Sequence, residues 1–531
     1  MKTRPSSSVF IRVHLWLITG LLALTPIAIL AWNGGAAKIR FEEIAAKAHV
    51  QPTHHTRVFP GKNGDVLRMF TSGGAAVAVG DYDNDGFDDL FVTDSDNGRK
   101  SHLYHNNGNL TFTEVTEAAG VGGGNDPLSI VADALWFDYD NDGKLDLMFG
   151  NYFKPENLLD LKTPHVLPND LDNAVNGGGV TLWKGDGKGH FVEVTAKAGF
   201  SNHTGWTLDI GHGDFNNDGL QDIYLACDYG TDRMYLNNGD GTFREVTEKA
   251  IGYDTKKGMN VDIADYDNDG WLDIYVTNIT DEYMKECNML WHNNGDGTFT
   301  DLSKETGPCE TLWGWAAKFG DFDNDGWQDL FVVNGLRSAS KENYIPVLVN
   351  LITKPGVDFT DVNNWPNIGN MTWSGYQKKK MFRNLGTQAF KEISADAGVD
   401  NDKDGRGIGM SDFDNDGRLD FYQTNADQPA LLYHNITEGA GNWVELKLVG
   451  TKSNRDAIGA RVTLKAGGQS MIREVNGGNG YSGQSSLRLH FGIGHAAKID
   501  SVEIRWPSGI VQKETLAINK ITKITEPGAG K

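Results

Sequence analysis

Asp265-Tyr266-Asp267-Asn268-Asp269-Gly270-Trp271-Leu272-Asp273 decides how this chain folds, because the same nine-residue pattern occurs six times. The other copies run from Asp81 to Asp89, Asp138 to Asp146, Asp214 to Asp222, Asp321 to Asp329 and Asp412 to Asp420. Each puts oxygen-bearing side chains at positions 1, 3, 5 and 9 and glycine at position 6. A hard cation such as Ca²⁺ takes about six to eight oxygens, and short carboxylates on alternate residues converge on one ion. Glycine permits the sharp reversal that aims the position-7 carbonyl inward. Four aspartates this close would repel one another strongly without a cation between them. The sequence therefore predicts Ca²⁺ in each loop, about six sites in all.

Each site takes its ligands from one loop. The first comprises Asp81, Asp83, Asp85 and Asp89 with the carbonyl of Phe87, and the second Asp138, Asp140, Asp142 and Asp146 with that of Lys144. The third uses Asp214, Asn216, Asp218, Asp222 and the Leu220 carbonyl; the fourth, Asp265, Asp267, Asp269, Asp273 and the Trp271 carbonyl. Asp321, Asp323, Asp325 and Asp329 with Trp327 form the fifth, and Asp412, Asp414, Asp416 and Asp420 with Arg418 the sixth.

An EF-hand opens in the same way but needs Glu at position 12 and flanking helices. Here position 12 is Val92, Phe149, Leu225, Val276, Val332 or Gln423, within short runs of apolar, aromatic and β-branched residues. Such runs read as buried strands, so each loop joins two strands. A further strand follows each loop: Leu103–Asn106, Leu182–Gly185, Met234–Asn237, Leu290–Asn293, Met381–Asn384 and Leu432–Asn435. The first five are followed by a Gly/Asn turn and a Phe-x-acid-aliphatic strand starting at Phe112, Phe191, Phe243, Phe299 and Phe390. The sixth lacks that strand, and a spare copy begins at Phe41. A ring of blades explains the displacement, because the N-terminal strand completes the last blade and leaves no open sheet edge. Loop-to-loop intervals of 57, 76, 51, 56 and 91 residues place insertions near 150–180 and 336–380. The second insertion, with Trp365, Trp373 and Tyr376, is a candidate for specificity, since long loops on a rigid scaffold often carry function.

Charge fits the same picture. Five loops contribute four aspartates each and the third contributes three, close in number to the net charge of −22. That acidity argues against nucleic-acid partners, which require a basic surface. Three cysteines, none in a CxxC pair, exclude a zinc or redox framework; Cys287 and Cys309 bracket one repeat and are the candidate disulfide. Lys2, Arg4 and Arg12 precede 18 uncharged residues, Leu15–Trp32. The pattern reads as a signal peptide or an N-terminal membrane anchor within 1–37. Both place the remainder outside the cytoplasm, in the periplasm, at the cell surface or beyond it.

The loops set between apolar strands resemble the FG-GAP/VCBS repeats of integrin α-subunit propellers, over about 39–438. From 440 to 526 a small β domain is predicted from four alternating segments. Its Arg455–Val462, Asn476–Gln484, Leu489–Gly494 and Arg505–Gly509 segments are similar to the ASPIC/UnbV domain. The combination resembles the cartilage-acidic-protein family. It implies an all-β fold: an integrin-like propeller of six or seven blades followed by that domain.

Two functional readings follow. In one, calcium stiffens a scaffold that binds or adheres to a protein or glycan outside the cell. In the other, an enzyme, carbohydrate-active or otherwise, has its active site on the propeller axis, using Asp133, Asp209, Asp262 and Lys318 from the inner strands. Polar residues lining a wet channel account for those four better. Trp206, Trp313 and Trp315 fit core packing better than a sugar platform, and His203, His212, Ser482, Ser485 and His490 match no catalytic spacing. The reading leans towards the binding scaffold.

Overall fold

A computed structural model describes residues 37–59, 61, 63–96, 99–121, 131–154, 167–281 and 283–528. The apolar run 15–32 lies outside them. Among the described residues, six sheets form the blades, numbered here by their acidic loops from 1 (Asp81) to 6 (Asp412); five are four-stranded and antiparallel, and blade 1 has a fifth strand, Gly483–Gln484, added in parallel to its inner edge. Inner strands are Val77–Gly80, Val131–Phe137, Trp206–Gly213, Asn260–Ala264, Gly314–Gly320 and Gly405–Ser411. Each leads through its acidic loop into a second strand that starts at the position-9 aspartate, as in Asp273–Thr277. Blade 6 is closed by the N-terminal strand Phe41–Glu43, paired antiparallel so that Phe41 faces Asn435 and Glu43 faces Tyr433. The displaced sequence copy thus sits where ring closure requires it.

Neighbouring blades are fastened at the end of the third strand. Asn237 Nδ2 donates to Tyr139 O of blade 2 (2.7 Å), Asn293 Nδ2 to Phe215 O (2.8 Å), and Asn384 Nδ2 to Tyr266 O (2.8 Å). Asn435 Nδ2 reaches Phe322 O (2.9 Å), and Asn106 Nδ2 reaches Phe413 O (2.9 Å), joining blade 1 to blade 6. Blade 2 carries Gly185 at this position and cannot make the link.

That seam is bridged by the C-terminal region. Residues 442–525 form two sheets, one of Leu489–Gly494, Asn442–Val449 and Ile521–Thr525, the other of Gln469–Glu474, Arg461–Ala466, Ile499–Arg505 and Val511–Glu514. They share a core with blades 2 and 3: Val444, Leu446 and Val462 join one buried cluster with Leu135, Phe137 and Ile210. The glycine-rich stretch 476–484 runs down the propeller axis. Trp136 N–H donates to Gly477 O (3.2 Å) in blade 2, and Val77 N–H to Ser482 O (3.0 Å) in blade 1. His212 Nε2 accepts from Gly477 N (2.9 Å), and Asn260 Oδ1 from Tyr481 N (3.0 Å). Lys318 donates to Asn479 O, and a side chain on Gly483 would strike the Ile408 backbone. All six inner strands therefore touch this segment. Glycines make it thin enough to enter; a Cβ on Gly477 would lie 1.7 Å from Trp136 O. The wet channel expected from sequence is filled with polypeptide.

The 336–380 insertion is folded, with a helix at Ile345–Thr353 that has proline at its start and a short 3-10 turn at Val362–Asn364. Its Trp365 and Trp373 are buried.

Candidate metal centres

The six acidic loops share one backbone conformation. The asparagine at position 4 has positive φ in every copy, 54° to 62° from Asn141 to Asn84, and glycine follows with positive φ two residues later. Asparagine tolerates this region better than other non-glycine residues, which explains its presence in all six. Its side chain links loops: Asn268 Nδ2 donates to Gly326 O (3.0 Å), Asn324 Nδ2 to Gly417 O (2.8 Å) and Asn415 Nδ2 to Gly86 O (3.1 Å).

Position 1 is oriented by backbone donors from its own loop. Asp138 accepts from Asp142 N (3.0 Å) and Gly143 N (2.9 Å), and Asp321 from Asp325 N (3.0 Å) and Gly326 N (2.8 Å). Position 9 is held from both sides: Asp273 takes Tyr266 N (3.3 Å) and Asn293 N (2.8 Å). The predicted ligands converge as expected. Asp81, Asp83 and Asp85 offer oxygens within 4.8 Å of one another, as do Asp138, Asp140 and Asp146.

Several of these oxygens have no donor. Asp81 Oδ1, Asp140 Oδ1, Asp267 Oδ1, Asp323 Oδ1 and Asp414 Oδ1 are buried without a hydrogen-bond partner. They lie at position 1 or 3 of five different loops; the sixth, loop 3, has the neutral Asn216 at position 3. Burial, followed by neighbouring carboxylates, pushes Asp265 up to about 8 and Asp412 up to about 9. Orphaned carboxylate oxygens in a crowded anionic cradle fit a hard divalent cation.

Sequence reasoning missed the cationic side chains aimed at the loops. His105 lies within ligand distance of Asp83 and Asp89, His292 of Asp267 and Asp273, and His434 of Asp414 and Asp416. All three are the third residue of the Leu-aromatic-His-Asn strand, a repeated motif whose bearing on the loops depends on strand pairing. In blades 2 and 5 that position is Lys184 and Arg383. The Lys184 ammonium contacts Asp140 and lies 2.9 Å from Asp142; the Arg383 guanidinium lies 2.5 Å from Asp323 and 3.0 Å from Asp325. A fixed cation there competes with a metal for positions 3 and 5. The C-terminal sheets add Lys447 on Asp81 (2.8 Å) and Arg505 on Asp214.

The axial residues are brought together but are already committed. Asp133 accepts from Ile210 N (3.1 Å), Asp209 from Val261 N (2.6 Å), and Asp262 from Phe319 N (2.7 Å). Each carboxylate thus bonds the inner strand of the next blade. Lys318 stands 3.7 Å from Asp262 and caps the series beneath Asn479. Burial pushes Asp133 up to about 7 and Asp209 well above the usual carboxylate range. These side chains thus tie neighbouring inner strands to one another and to the axial segment. His203 bonds Thr207 Oγ1 (2.7 Å), Ser485 Oγ accepts from Met410 N (3.2 Å), and His490 bonds Gly417 O (3.2 Å), so they form no common site. Trp206 is fully buried in the core, as expected.

Known proteins match this architecture. The FG-GAP-like repeat family matches residues 70–149, 214–276 and 280–332, and the ASPIC and UnbV family matches 450–531. The chain is an FG-GAP-repeat β-propeller joined to an ASPIC/UnbV domain. More narrowly, it is similar to the cartilage acidic proteins. It is 25% identical over 350 residues to cartilage acidic protein 1 of Xenopus tropicalis, covering 63% of this chain and 46% of that protein. It is 25% identical over 346 residues to the Homo sapiens protein, with the same coverage. The chain therefore spans a little under half the length of these curated relatives. Among solved structures, Trypanosoma rangeli sialidase in complex with 2,3-difluorosialic acid aligns over 67% of this chain and 53% of its own. The identity is 11% and the TM-score 0.35, too loose a superposition to carry an argument.

Proposed function

We propose that the chain is an exported, calcium-binding propeller that serves outside the cytoplasm as a scaffold for a protein or glycan. The observation that carries the calcium reading is the set of buried, partnerless carboxylate oxygens in five of the six loops. The carboxylates at positions 1, 3, 5 and 9, with Asn216 replacing one, would hold the ion together with the position-7 carbonyl. Bound calcium would supply the counter-charge that lets the carboxylates lie this close, and so would lock each inner strand to its second strand. Export is supported by the charged-then-apolar N-terminus and by the Cys287–Cys309 disulfide, which forms in oxidising compartments.

The test is thermal unfolding of the purified chain before and after exhaustive chelation, with metal content measured in parallel. A lower midpoint after chelation, restored by calcium, is expected; an unchanged midpoint would sink the reading. Partner class is tested by screening the calcium-loaded protein against glycans and exoproteins.

A further inference from the structure

On the propeller face opposite the acidic loops lies a cavity of about 540 Å³. It is bounded by starts of inner strands, ends of second strands and the 336–380 insertion, and Tyr481 and Ser482 of the axial segment also line it. This volume lies within the usual range for small-molecule sites.

Ten of its 33 lining residues are aromatic, and several of the rings brace one another. Trp313 and Trp373 meet edge to face at 5.8 Å, Tyr283 lies 6.2 Å from Trp313, and Tyr481 lies 5.2 Å from Trp315. Their polar atoms are largely spent within the protein. Trp373 Nε1 donates to Tyr283 Oη (3.0 Å), Trp315 Nε1 to Gly335 O (2.9 Å), and Tyr481 Oη to Gly73 O (3.0 Å). The ring faces remain on offer, with Trp313 Nε1 the buried ring donor left unpaired.

The lining carries two charges of each sign, Arg57, Lys257, Asp94 and Asp228, and the buried Lys257 is paired with two acids outside it, Asp172 and Glu286, at 3.3 Å from each. Arg57 and Asp94 carry opposite charges. Asp228 is 8% exposed, and one of its oxygens accepts the Tyr152 hydroxyl. Its other oxygen has no hydrogen-bond donor among the described residues. A buried carboxylate among aromatic faces suits a cation, since both the charge and the ring quadrupoles attract it.

We propose that this cavity binds an apolar, ring-bearing organic ammonium ion, with its rings against Trp313 and Trp373 and its ammonium on Asp228. The site is independent of the calcium loops, so it stands or falls separately from the calcium reading.

The test is calorimetric titration of the full chain, in calcium, with three probes of matched body: 1-naphthylmethylamine, 1-naphthylmethanol and 1-naphthoate. The amine is expected to bind at least about tenfold more tightly than the alcohol, and the carboxylate more weakly than either. Asp228→Asn keeps an acceptor for Tyr152 and should abolish the amine's advantage while leaving the alcohol's affinity unchanged. Ile352→Trp, at a cavity-lining residue that is 41% exposed and so needs no buried group to move, should weaken both. No preference for the amine, a preference that survives Asp228→Asn, or affinity that survives Ile352→Trp would overturn the proposal. So would saturable binding of methyl α-glucoside in place of the amine.

Discussion

Glu526 shows how single carboxylates are used away from the metal loops. It is 2% exposed and accepts the N–H groups of Thr451, Lys452 and Ser453 at 2.7–2.9 Å, together with the Ser508 hydroxyl. Burial works against its charge, but these donors prevail and hold it at about 2, below its ordinary 4.5. A depressed pKa gives stability that is present above pH 4.5 and lost as pH falls through about 2. Glu526→Gln should therefore cost up to about 3 kcal/mol at neutral pH. In denaturant melts against pH, the gap between wild type and variant should close between pH 4.5 and 2. Lys184 supports a second prediction: Lys184→Met removes the competitor at Asp140 and Asp142 and should tighten calcium at that loop by about tenfold, or about 1.4 kcal/mol. Weaker binding in a calcium titration would mean that Lys184 helps to build the site. The carboxylate clusters of the loops were legible from sequence because their spacing is local. Lys184, Arg383 and the histidines were not, because their meaning depends on which face of the neighbouring strand they occupy.

Strands and loops divide along the same line. The short strand Phe41–Glu43 was legible because a repeat with a missing part points to its replacement, and its register with Tyr433–Asn435 bears this out. Phe41 is buried against Phe322 and Phe421, with ring centroids at 5.5 and 4.9 Å. Phe41→Ala should destabilise the protein by about 3–5 kcal/mol, and protease sensitivity should appear first in blade 6. The disulfide closes a separation of 22 residues, and its removal in Cys309→Ser should cost about 3 kcal/mol by chain entropy. Both are measured by denaturant melts. The 336–380 insertion was harder to read, since its order comes from aromatic contacts with other segments, such as Phe70 with Trp365 at 5.7 Å.

For the whole molecule, the six-fold repeat disclosed a ring but not what fills it. Asn476–Gln484 carries no periodicity and no charge, and its partners lie more than 200 residues away in blades 3 and 4, so nothing local marked it as an axle. The same blindness hid the seam between blades 1 and 2. Gly185 looks like one more glycine until its five asparagine counterparts are seen to be bolts. Each bolt is worth about 1–3 kcal/mol if its acceptors are left unpaired. Hydrogen exchange is therefore expected to run faster along the blade 1–2 seam than at the seam held by Asn237. Equal protection would mean that the C-terminal contacts at Gly477 and Gly483 compensate fully.

The axial segment also sets an order of events during synthesis. Phe41–Glu43 is made almost first and waits for Leu431–Asn435, while the segment that all six inner strands grip is made only after residue 475. Chains halted near residue 440 should accordingly remain protease-sensitive even in calcium, and protection should arrive only once 476–484 has emerged. A ring whose axle follows all six blades in sequence cannot close until the chain beyond the last blade has been made.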